Sequence, residues 1–132
     1  MTRIYFISQR GHVELVKIGI ANDPEKRLAE MQTGSGFRLK LLATATLASR
    51  AEAMNLERDL HHAFRSRRVR GEWFTCSAAL RELIASVRDG DAARGAAAFK
   101  RARKESAKHE GIVAVQMGKG AALCPDSGKE AN

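Results

Sequence analysis

The chain opens with two apolar runs of the kind that form strands. Arg3–Ser8 is rich in Ile, Tyr and Phe, and Val13–Ile20 follows after a short break. In the second run Val16, Ile18 and Ile20 share one face, and Leu15, Lys17 and Gly19 share the other. Both runs are predicted to be strands. Gln9–His12, which contains Gly11, is predicted to be the hairpin loop between them. "RLKLLATAT" (Arg38–Thr46) reads as a third strand. Between the second and third, "NDPEKRLAEMQTG" changes to helical punctuation. Asp23 can cap a helix, Pro24 fits its first position, and Gly34 can close it after Met31.

A longer helix is expected from Ser49, where Glu52 completes a capping box, to about Ser66. The basic segment "RSRRVRG" (Arg65–Gly71) then reads as a loop. Trp73 and Phe74 begin a short strand or turn, and Ser77 or Thr75 caps a last helix through about Arg88. From Gly90 the pattern dissolves. "DAARGAAAFKRARKESAKHE" is rich in Ala, Lys and Arg, with little apolar periodicity. The expected organisation is one folded domain over residues 1–88. A basic tail over 89–132 follows, partly helical, weakly packed or disordered.

Composition narrows the class. At 132 residues the chain has room for one domain and a tail. Aromatic residues are only 5%, so the core is expected to be mostly aliphatic. The net charge of +8 and pI near 10.1 favour a polyanionic partner, usually nucleic acid. A basic protein that binds none is the bland alternative. The excess lies mainly in residues 1–88, which hold 15 Lys and Arg against 9 Asp and Glu. Cys76 and Cys124 stand alone with no CxxC spacing, so a zinc site is not expected, and free thiols suit a reducing cytoplasm. No long apolar stretch occurs at the N-terminus, so neither a signal peptide nor a membrane span is expected.

The candidate chemistry starts from misplaced charges. On a wheel of the Ser49–Ser66 helix, Ala53, Leu56, Leu60 and Phe64 flank Glu57 on one side and Met54 on the other. Arg58, Asp59 and His62 point away. Glu57 thus falls inside the apolar arc, with His61 one turn on near the same edge. A carboxylate there needs a cation. That cation is either a core-edge arginine, giving a structural ion pair, or a metal. Arg27 borders the Pro24, Leu28 and Met31 stripe of the first helix, and either snorkels or points at an anion. With hairpin partners summing to 22, Tyr5 faces Lys17 directly. A slip of two residues would leave them diagonal neighbours. An ammonium there would lower the phenol's pKa from its ordinary ~10, although Tyr5 also suits a plain sheet edge.

Together these are parts for hydrolysing a phosphodiester. Glu57 would hold one divalent ion, Mg or Mn. Arg27 would bind the phosphate, and Tyr5, assisted by Lys17, would take a proton from water. Arg65, Arg67, Arg68 and Arg70 are candidate DNA-phosphate contacts, with a solvated basic loop as the alternative.

The motifs "IYFI" (Ile4–Ile7), "VKIG" (Val16–Gly19), "DPEKRLAEMQTG" (Asp23–Gly34), "LERDLHHAF" (Leu56–Phe64) and "GEWF" (Gly71–Phe74) resemble the GIY-YIG nuclease superfamily over roughly residues 2–88. They are most similar to its small phage and bacterial branch, described as a phage-type DNA-binding domain. The resemblance implies an α+β fold with a small three-stranded antiparallel sheet flanked by helices. It implies a phosphodiesterase site of Tyr5, Arg27 and the metal-binding Glu57. Lys17 stands where the second signature has its tyrosine. The superfamily's further histidine has no counterpart at Ile20 or Met31, so His61 is the substitute candidate. Glu72 fits the pattern without a derivable role. The expected function is a metal-dependent DNA endonuclease of the bacterial or phage cytoplasm, with no small-molecule cofactor. The alternatives are a DNA-binding module that does not cut, and a basic regulatory or structural protein.

Overall fold

The computed structural model describes residues 2–11 and 13–120, with side chains as far as Glu110. Two strands, β1 (Arg3–Gln9) and β2 (Leu15–Ala21), precede helix α1 (Pro24–Thr33) and strand β3 (Leu39–Thr46). Helix α2 (Arg50–Ala63) leads through a 3-10 turn (Arg65–Arg67) into strands β4 (Arg68–Arg70) and β5 (Trp73–Thr75). Helices α3 (Ala78–Asp89) and α4 (Ala92–Gly120) complete the chain.

The sheet has five strands in the order β3-β1-β2-β5-β4, antiparallel throughout, and not the three expected. The class remains α+β. The two extra strands are short. β4 carries only exposed residues, so no apolar alternation betrays it. It becomes a strand because Gly71, at φ +51, turns the chain back and lets β5 pair with both β4 and β2.

The local helix signals are realised. Asp23 accepts a hydrogen bond from the Lys26 amide, Ser49 from Glu52 and Ser77 from Leu80. Gly90, in the left-handed region, ends α3. Helix α2 stops at Ala63, three residues before the expected end.

Helices cover both sides of the sheet. On one face Ile4, Phe6, Val16 and Ile18 pack with Leu60 and Phe64 of α2, Leu80 and Ile84 of α3, and Ala98 and Ala102 of α4. On the other, Tyr5, Ile7 and Leu39 pack with Leu28 and Met31 of α1 and with Trp73. Met54, placed in the apolar arc of α2, is instead about half exposed.

The segment from Gly90, read as a weakly packed tail, carries α4, which is docked on the body. Among its described side chains the buried ones are small (Ala98, Ala102, Ser106), which is why no large-apolar period marked it. The Ser106 hydroxyl donates to the Ala63 carbonyl at 2.7 Å and caps the end of α2. At Gly95 a Cβ would lie 2.7 Å from the Ser86 hydroxyl, so glycine permits the close approach to α3. Cys76 is a free thiol; Cys124 and the end of the chain lie outside the described residues.

Candidate functional site

The hairpin register places the key tyrosine. Tyr5 pairs with Gly19 and Lys17 with Ile7, so partner numbers sum to 24. The direct Tyr5–Lys17 pairing is therefore corrected; the two are diagonal neighbours on the α1 face. The slip follows from a longer connection, since β1 ends at Gln9 and β2 begins only at Leu15. Tyr5 lies over its glycine partner. A Cβ built on Gly19 would sit 2.6 Å from the tyrosine Cζ, so a side chain there has no room.

Strand β5 pairs with β2 only at Leu15–Lys17, so among the described residues Gly19–Ala21 form an edge on that side. Groups from both faces of the sheet meet at this edge. Arg27, in the first turn of α1, faces the Tyr5 hydroxyl closely enough to act on its proton. It also lies 3.6 Å from Glu30. Glu57 of α2 faces Glu72, His61 and Lys17 closely enough for their charges to act on it. Glu72, in the β4–β5 turn, is 3.6 Å from the Lys17 ammonium, and its carbonyl accepts from the Ile18 amide at 3.1 Å. The Lys17 ammonium lies 5.9 Å from the centre of the Trp73 ring.

His61 is half buried. Its Nε2–H donates to the Ile18 carbonyl at 2.8 Å, and its ring tilts against Phe74 at 5.1 Å. It ties α2 to β2 beside Gly19 and leaves Nδ1 free to accept.

The electrostatics reverse one expectation. Burial pushes the Tyr5 phenol above its ordinary range. The Arg27 guanidinium lowers it, and the Glu72 charge raises it. Lys17 is not among the groups that set this balance, and its ammonium lies 3.6 Å from Glu72. Glu57 is also raised, first by burial and then by the like charge of Glu72, with His61 and Lys17 opposing. The pair Glu57 and Glu72 is therefore suited to sharing either a proton or a cation.

The structure thus brings Tyr5, Lys17, Arg27, Glu57 and His61 to one corner and adds Glu72. Glu72 was assigned no role from sequence; a carboxylate directly after a turn glycine was the available signal. The basic segment divides. Arg65 is bound to both carboxylate oxygens of Glu110, one at 2.8 Å, and also donates to the His62 carbonyl. Arg67, Arg68 and Arg70 are exposed, with Arg68 bracing the turn through the Gly71 carbonyl at 2.8 Å. Among the described residues no helix is long and apolar enough to cross a membrane.

A family model described as the T5orf172 domain matches residues 2–89. That match is to a family distinct from the GIY-YIG superfamily named from the motifs, and it corrects that resemblance. No curated protein and no solved structure matches the chain.

Proposed function

Because this chain belongs to the T5orf172 domain family, which is associated with nuclease and DNA-binding function, we propose that it is a metal-dependent DNA endonuclease. The observation that carries this reading is the meeting of Tyr5, Arg27, Glu57 and Glu72 at the uncovered edge of β2. A phenol, a guanidinium and paired carboxylates are the groups that phosphodiester hydrolysis needs.

Arg27 is 47% exposed and can give up Glu30 for a DNA phosphate, offsetting the charge that grows in the transition state. Tyr5 orients the attacking water. It accepts the water's proton only after giving up its own, which Arg27 favours and burial opposes. Lys17, held by Glu72, adds positive charge beside the phosphate.

The donor set fits one magnesium or manganese ion. Such an ion takes one or two carboxylates and completes its shell with water and phosphate oxygens. Glu57, with Glu72 beside it, would hold it. Among the described residues no group of three or more His, Cys, Asp and Glu side chains forms a complete cage. When bound, the ion polarises a phosphate oxygen and stabilises the leaving group. Arg67, Arg68 and Arg70 extend from this corner and supply phosphate contacts. Arg65 braces α4 instead.

The alternative is a DNA-binding module that does not cleave. It is favoured by the raised pKa of both Tyr5 and Glu57, because burial biases each toward the protonated form and the proposed base and metal ligand act deprotonated. The test is incubation of supercoiled plasmid with the protein, with and without magnesium or manganese. Cation-dependent nicking is expected, reduced about 100-fold or more in Arg27→Ala and Glu57→Ala, with unchanged circular dichroism. Nicking at the normal rate by Arg27→Ala would exclude this site. Salt-dependent binding without nicking selects the alternative.

A further inference from the structure

All seven aromatic side chains lie among the described residues, and six of them are buried or partly so. Phe37 differs. It is 49% exposed, between α1 and β3. A lone exposed apolar residue needs no explanation by itself, but the backbone that carries this one is held in place. The Gln32 side-chain amide donates to the Phe37 carbonyl at 2.8 Å and accepts from the Leu39 amide at 2.8 Å. The Ser35 hydroxyl accepts from the Phe37 amide at 3.1 Å and lies 3.2 Å from the Phe37 carbonyl oxygen. The ring leans on Gly11, where a Cβ would meet it at 3.2 Å.

Cationic residues neighbour Phe37 along the chain and across the hairpin loop. Arg38 follows it in sequence, and the Arg10 amide donates to the Arg38 carbonyl at 3.2 Å, which brings the hairpin loop alongside. Arg10, Arg38 and Lys40 are exposed, and none makes an ion pair among the described residues. An exposed aromatic side chain on an anchored backbone, with unpaired cationic residues beside it in the chain, matches the chemistry of an unstacked nucleobase and its flanking phosphates.

We propose that Phe37 is a stacking platform for an unpaired DNA base, with Arg10 and Arg38 engaging the adjoining phosphates. Arg27 sits in the first turn of α1 and Phe37 lies beyond its end at Thr33, six helical steps or about 9 Å further along. The site therefore favours DNA with a loop, flap or single-stranded end over continuous duplex. The inference rests on the DNA-binding part of the proposed function and not on cleavage.

Binding in EDTA, where cleavage cannot contribute, tests it. The probes are a fluorescently labelled single-stranded oligonucleotide, a duplex of the same sequence, and an abasic version of the single strand. Wild-type protein is expected to bind the single strand more tightly than the abasic strand. Phe37→Ala should lose about tenfold for the single strand, little for the duplex, and keep its melting temperature. Phe37→Trp should retain binding, and its added fluorescence should be quenched by the single strand. Equal affinity of wild type and Phe37→Ala for the single strand, or equal loss on the duplex, overturns the platform. Retained stacking in a protein that never nicks plasmid removes the nuclease reading and leaves this one standing.

Discussion

Replacing Gly19 by alanine tests the packing on which the candidate site depends. The added methyl would lie 2.6 Å from the Tyr5 Cζ, whereas carbon atoms in contact normally sit about 3.5–4.0 Å apart. The ring must therefore move by about 1 Å. It is only 2% exposed and packs with Ile7 and Leu39, so the move disturbs a filled layer. Overpacking of this kind costs roughly 1–3 kcal/mol. For about 2 kcal/mol in a domain of this size, the melting temperature falls by about 8 °C. Displacing the hydroxyl by about 1 Å from Arg27 should cost about 100-fold in nicking rate. Thermal melts and plasmid nicking would be measured for Gly19→Ala, Tyr5→Ala and the double variant. Because the clash needs both partners, Gly19→Ala should cost far less stability when Tyr5 is already Ala. Normal melting and nicking by Gly19→Ala, or strictly additive losses in the double variant, would refute the close approach.

Two further outcomes follow from buried polar groups. The Ser8 hydroxyl is fully buried and has no hydrogen-bond partner among the described residues, so Ser8→Ala should stabilise the protein by about 1 kcal/mol in urea denaturation; a loss of that size would mean the hydroxyl is satisfied in solution. Glu57 has a raised pKa in the folded state, so the native protein binds the extra proton, and stability should fall as pH rises above the ordinary carboxylate range of about 4.3. Glu57→Gln should flatten that decline and raise the neutral-pH melting temperature in EDTA. It should also abolish stabilisation by magnesium, and an unchanged pH profile would contradict the assignment.

Local chemistry was legible along the chain. Asp23, Ser49 and Ser77 cap their helices because the donors they satisfy lie two or three residues away. The inward position of Glu57 followed from helical period, and the faces of β2 from strand period. What sequence reasoning missed depends on residues far apart in the chain. The Tyr5–Gly19 register hangs on how many residues the connection uses. β4, all exposed, exists through its pairing with β5. Helix α4 docks through small residues, which carry no strong apolar period. The family, too, was decided by the whole-domain match rather than by the short motifs.

The order of elements from β1 through α2, the inward Glu57 and the basic charge were determined by the sequence itself, because periodicity, capping and net charge need only neighbouring residues or a count. Tertiary structure alone decided that Glu72 would engage Lys17, that Arg65 would be taken by Glu110, and that the Tyr5 phenol would be raised rather than lowered. Charge interactions and desolvation act through space over a few ångströms, so their outcome exists only once distant segments have packed.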